Sequence, residues 1–87
     1  MRTIKSQDGK MIVNAERILS FDTRYFDNRK YFVMVNDSWL ENSEFRNLAG
    51  YTTEKRANRV LDMLNEWLTM QRTYSCFQMP QDREELD

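Results

Sequence analysis

Residues 53–72 read TEKRANRVLDMLNEWLTMQR, and this stretch decides the fold. Ala57, Val60, Leu61, Leu64 and Leu68 recur at steps of three and four, which sets them on one face of an α-helix. Trp67 borders that face, while Arg56, Arg59, Asp62, Asn65 and Glu66 fall mostly away from it. Thr53 suits the N-cap, because its hydroxyl can accept a backbone N–H that the first turn leaves unpaired. Glu54 follows in the first turn, where the helix dipole favours an acid. No Gly or Pro interrupts the run, so the spacing predicts a helix reaching about Arg72.

A single amphipathic helix cannot bury its stripe alone, so the residues before it must supply an apolar layer. They read as strands. Arg2 to Ser6 is a short candidate, and Met11 to Val13 is its return across Gln7-Asp8-Gly9-Lys10. The Asp-Gly pair there predicts a tight type I′ hairpin. After a brief turn at 14–16, Arg17 to Tyr25 alternates, with Ile18, Ser20, Asp22 and Arg24 on one face and Leu19, Phe21 and Thr23 on the other. Residues 26–29 form a turn. Lys30 to Val35 (KYFVMV) is the clearest strand, being dense in aromatic and β-branched residues, and Asn36-Asp37-Ser38 breaks it. Residues 39–50 are hard to read and hold a strand near Phe45 to Leu48. Tyr74 to Met79 alternates again and is ended by Pro80, which reads as a closing edge strand. The expectation is an α+β domain over residues 1–80: an antiparallel meander of three to five strands packed on one long amphipathic helix, with a C-terminal edge strand.

Eighty-seven residues make one domain. The net charge is −1, so the whole chain offers no electrostatic case for nucleic acid or membrane. Residues 1–30 are nevertheless basic. Residues 81–87 place Asp82, Glu84, Glu85 and Asp87 against one Arg83, and this end reads as a flexible, solvated acidic tail in which Leu86 is incidental. Cys76 is the lone cysteine, which rules out an internal disulfide and suits a reducing, cytoplasmic setting. A small, buried or half-buried structural role is expected of it.

Several of these segments together resemble a family of short, mostly uncharacterised proteins encoded by Gram-positive bacteria, their phages and mobile elements. The matching pieces are Ser6-Gln7-Asp8-Gly9-Lys10 leading to Val13-Asn14, then Tyr51-Thr52-Thr53-Glu54-Lys55-Arg56-Ala57 with Val60-Leu61 behind, and Phe77-Gln78-Met79-Pro80. Residues 22–48 are not covered. The family usually carries Gly two places before the helix-opening Tyr, where this chain has Ala49 followed by Gly50. The resemblance implies a phage or mobile-element setting and carries no catalytic residues.

The chain has no histidine, which removes histidine-based triads, Cys-His nucleophiles and most zinc sites. The carboxylate pairs Glu41–Glu44 and Asp62–Glu66 read as solvated faces. No cofactor or metal site is expected. Three functional readings follow. The first is a non-enzymatic protein-binding module acting on a host or phage protein complex, including as an inhibitor of a nucleic-acid-handling enzyme. Trp39, Leu40, Phe45 and Trp67 are its candidate contacts, because exposed aromatics anchor interfaces. The acidic tail could also mimic phosphates in such an inhibitor. The second is a nucleic-acid binder using Arg17, Arg24, Tyr25, Arg29 and Lys30, since stacking aromatics beside cations hold single strands. The third is an oligomeric structural component.

Overall fold

The computed structural model describes residues 2–26, 30–37, 45–70 and 75–87. Thr53 opens the helix as its chemistry implies: its backbone is extended and its side chain accepts the Arg56 N–H at 3.2 Å. Helix α1 spans Glu54–Thr69 and buries Ala57, Val60 and Leu64. It stops short of Arg72 because Met70 turns extended, at ψ 133°. No glycine ends it. Instead the Arg2 guanidinium donates to the Leu68 carbonyl at 2.6 Å, which satisfies one acceptor of the last turn and sets a cation at the negative end of the helix.

The strands are β1 (Arg2–Lys5), β2 (Ile12–Asn14), β3 (Ile18–Phe26), β4 (Lys30–Asp37), β5 (Phe45–Tyr51) and β6 (Ser75–Gln78). The α+β class holds, with the helix packed on strands. The single meander does not. There are two three-stranded sheets, in the orders β3-β4-β5 and β2-β1-β6. The chain leaves the first hairpin through a 3-10 turn at Ala15–Arg17, capped by Asn14, whose side chain accepts the Glu16 N–H. That turn redirects the chain into β3, so β2 and β3 do not pair. The closing edge strand is present as β6, and it pairs with β1 in parallel. Asn36 and Asp37, expected to break β4, continue it, because Asn36 finds a partner opposite Phe45 in β5.

One core joins these parts. Ile4, Val33, Val35, Leu48, Tyr51, Val60, Leu64 and Met79 are its largest fully buried or nearly fully buried side chains. They come from both sheets, the helix and the segment after β6. Among the described residues, no helix is long and apolar enough to cross a membrane.

Candidate interaction surface

The loop at residues 7–10 is where the pieces meet. Ser6 donates its N–H to the Met11 carbonyl, so four residues separate the strands, and the two-residue type I′ turn expected from Asp-Gly is not formed. The Gly9 N–H returns to the Ser6 carbonyl, and Gly9 takes φ 74°, a left-handed conformation open to glycine. Asp8 locks the turn: its carboxylate accepts the Ser6 hydroxyl at 2.6 Å and the Lys10 N–H at 3.0 Å. Those bonds hold its pKa below the usual carboxylate value, the Ser6 hydroxyl being the larger cause.

Gln7 points the other way, toward β5. Its backbone N–H donates to the Leu48 carbonyl at 2.8 Å. Its side-chain amide accepts the Gly50 N–H at 3.0 Å and donates to the Gly50 carbonyl at 3.1 Å and to the Pro80 carbonyl at 3.2 Å. The Tyr51 hydroxyl donates to the same Pro80 carbonyl at 2.7 Å. Burial pushes the pKa of that phenol up, and Asp82 nearby adds to the shift. The quoted segments around Ser6, Tyr51 and Met79 therefore form one knot, and its visible work is structural. A cavity of about 280 Å³ beside it is lined by Met11, Phe32, Asn47 and the knot itself. The Phe32 ring lies against Gly50 so closely that a Cβ there would meet it at 2.9 Å. A Cβ at 50 therefore fits only if the Phe32 ring shifts.

Gly50 also fixes which way the strand edges face. A residue in a strand turns its N–H and C=O to the same side, and opposed residues in an antiparallel pair alternate between bonded and non-bonded. Gly50 turns both groups to Gln7, so its pair with Phe32 is non-bonded and Phe32 faces β3. Phe32 lies opposite Arg24, which must then face β4. Thr23 and Tyr25 on either side, and Phe21 two residues further, turn their N–H and C=O outward. Among the described residues, no group from another element bonds to these outward N–H and C=O groups. Gln7 covers the edge of β5, while β3 ends its sheet and, among the described residues, no further strand pairs with it.

The side chains of Phe21, Thr23 and Tyr25 oppose Val35, Val33 and Tyr31, so they share the helix-side face. Tyr25 is 57% exposed and rests on Tyr31 with ring centroids 4.8 Å apart. At the other end of the same edge, Phe21 and Ser20 border a groove of about 420 Å³ whose far wall is Leu61, Leu64 and Leu68 of α1.

Of the residues anticipated for protein contact, Trp39 and Leu40 lie outside the described residues. Phe45 begins β5 opposite Asn36. Trp67 is half-buried at the core rim, with the Phe77 ring 5.6 Å away and the Arg2 guanidinium 5.9 Å from its centroid. Of the nucleic-acid candidates, Arg29 lies outside the described residues. Arg24 and Lys30 lie on the face that carries Phe32, opposite to Tyr25, and Arg24 contacts Asp22 at 3.5 Å. Arg17 sits apart, in the 3-10 turn.

The tail is largely exposed, as expected of a solvated segment, but it is also tied to the helix start. Arg56 gathers it, donating to Asp82 at 3.1 Å and to both carboxylate oxygens of Asp87 at 2.9 and 3.1 Å. Asp87 is thereby held below the usual carboxylate pKa, and Arg56 is pushed above its already high value. Leu86 packs against the core rather than being incidental. Two of the four acids offered as phosphate mimics are thus committed within the chain. Cys76, expected to be at least half-buried, is exposed on the outer face of its sheet, because it shares the face of Thr3, its register partner. Asp62 and Glu66 are exposed on α1. Glu41 and Glu44 lie outside the described residues. Among the described residues, no group of His, Cys, Asp or Glu has the arrangement of a metal site.

The sequence pointed to Tyr25 and Phe21, though for nucleic acid, and did not single out Thr23. Alternation marks their face, but only the strand order shows that β3 lies at an edge. No family model, no curated protein and no solved structure matches this chain.

Proposed function

We propose that this protein is a non-enzymatic protein-binding module that contacts its partner by strand addition along β3. The observation that supports it is the outer edge of β3 at Phe21, Thr23 and Tyr25, unpaired among the described residues and flanked by the apolar groove against α1. Strand addition takes affinity from main-chain hydrogen bonds and specificity from pockets for alternate side chains, and this edge offers both elements. The absence of histidine from the sequence also favours binding over catalysis. The phage or mobile-element setting implied by the resemblance makes host or phage complexes the target class, and the lone Cys76 suits the cytoplasm.

The test is affinity capture from a Gram-positive lysate with and without nuclease. Thr23→Pro removes an outward N–H that β4 does not use. Capture by the native chain that resists nuclease and is lost in Thr23→Pro supports the proposal. Capture abolished by nuclease and by Arg24→Glu would instead support nucleic-acid binding.

A further inference from the structure

We infer that β3 pairs antiparallel with β3 of a second copy of this chain, on a two-fold axis through Thr23. The inference rests on the strand-addition reading and names its occupant. The sequence across the edge is Phe21-Asp22-Thr23-Arg24-Tyr25: aromatic, acid, threonine, base, aromatic. Read against its own reverse, it is self-complementary.

Hydrogen bonding limits the registers. Outward-facing residues must oppose outward-facing residues, so the axis must pass through a residue and not between two. The register with β4 shifts between Ile18 and Ser20, so the regular run of the strand is residues 20–26, and within it three registers keep most residues paired, with the axis on Asp22, Thr23 or Arg24. An axis on Asp22 sets aspartate opposite aspartate. An axis on Arg24 sets arginine opposite arginine. Like charges directly opposed destabilise a sheet, and opposite charges stabilise it. Only the axis on Thr23 places each Asp22 opposite an Arg24. The intrachain contact of Arg24 with Asp22 at 3.5 Å then extends into an alternating cluster of four charges across the junction.

The same register gives Tyr25 a place. It opposes Phe21 of the second copy on the helix-side face, next to the groove walled by Leu61 and Leu68. An aromatic side chain that is 57% exposed in one chain thereby meets an apolar recess of about 420 Å³ in the other. Thr23 faces Thr23, and the outward backbone groups of residues 21, 23 and 25 all find partners. Because the surface is the same on both copies, the contact closes and stops at two. The two sheets of β3-β4-β5 become one continuous sheet, and β5 at each outer end is already covered by Gln7.

The experiment is sedimentation or light scattering on the full chain up to about 500 µM, a range that detects weak association. The native chain is expected to approach twice its mass of 10.6 kDa. Asp22→Arg alone sets arginine against Arg24 and is expected to return the monomer mass. Asp22→Arg combined with Arg24→Asp restores opposite charges and is expected to restore the dimer. Thr23→Cys in a Cys76→Ser background is expected to cross-link on oxidation, whereas Asp22→Cys in the same background is not. A native chain that stays at the monomer mass overturns the inference, as does a dimer indifferent to Asp22→Arg. A monomeric chain whose partner capture is lost in Thr23→Pro overturns the self-pairing alone and leaves strand addition standing. A dimer that meets the charge-swap test while capture ignores Thr23→Pro overturns the outside partner and keeps the self-pairing.

Discussion

The side-chain amide of Gln7 closes on both backbone groups of Gly50, accepting its N–H at 3.0 Å and donating to its carbonyl at 3.1 Å. One polar side chain thus stands where another strand would otherwise pair, and it blunts the β5 edge. Replacing it with Leu leaves two buried backbone groups unpaired and frees the Pro80 carbonyl of one donor. Gln7→Leu is expected to cost about 2–4 kcal/mol, read from the shift of the urea midpoint at constant slope. A shift below the resolution of that measurement contradicts the role given to Gln7.

Gly50→Ala tests a different contact at the same residue. The added Cβ meets the Phe32 ring at 2.9 Å, so the ring must swing away. Phe32 is half-buried and has room to move, so the expected loss is near the low end for overpacking, about 1 kcal/mol. Trimming the ring should remove most of that loss. In a double-mutant cycle with Phe32→Leu, the two changes are expected to couple favourably, and strict additivity is the outcome that rules out the clash.

The helix was legible because a period near 3.6, a Thr cap and an acid in the first turn all act within a few residues. Strands β3 and β4 were legible for the same reason, since alternation is local. Other features were not. The parallel pairing of β1 with β6 joins Arg2 to Ser75, and no local pattern records it. The whole length of β5 was hidden because a register shift between Val33 and Met34 breaks its alternation, leaving Leu48 and Ala49 both buried. Gln7 read only as a turn residue beside Asp-Gly. Arg2 read only as the start of a short strand, yet its guanidinium spans Glu16, the Leu68 carbonyl and the Trp67 ring. The β3 edge was invisible for a related reason: every strand looks alike until the order of the sheet is known.

Arg56→Gln separates the tail from the helix start. Its guanidinium reaches Asp82, Asp87 and Thr52 together. Glutamine cannot pair with both carboxylates, so residues 82–87 are expected to lose their anchor while α1 keeps its Thr53 cap. Hydrogen exchange should rise at Leu86 and Asp87, whose N–H groups bond to Arg83 and Glu84, with little change at Val60 or Leu64. Unchanged exchange at Leu86 would show that its packing alone holds the segment.

Arg2→Ala is read through Trp67. The substitution removes the guanidinium from 5.9 Å above the indole and from the Leu68 carbonyl. The half-buried ring then meets more water, and its emission is expected to shift to the red. Arg2→Lys keeps the charge but cannot reach Glu16 and Leu68 with separate nitrogens in a fixed fork, so it should recover only part of the native spectrum. Full recovery by lysine would mean that charge alone matters there. Because Trp39 also emits, the comparison is made in a Trp39→Phe background.

Stability should fall at both ends of the pH scale, for opposite reasons. Asp87 is held below its ordinary 3.8 by Arg56, Asp8 below 3.8 by the Ser6 hydroxyl, and Glu16 below 4.5 by Arg2. The unfolded chain therefore binds more protons than the folded one in acid. These groups support the fold above their ordinary values, and that support is lost as pH falls through the depressed ones. Tyr51 works in the other direction. Burial, then Asp82, raise its phenol above the ordinary 10.0, so the folded chain keeps a proton that the unfolded chain gives up. Its contribution is intact below pH 10.0 and is lost as pH rises toward the folded value. Urea midpoints are expected to hold level from about pH 5 to 9.5 and to decline on either side. Arg56→Gln should shallow the acid limb and leave the alkaline one. Tyr51→Phe should do the reverse, at a fixed cost of about 1 kcal/mol for the lost bond to Pro80. An alkaline limb that persists unchanged in Tyr51→Phe would assign it to some other group.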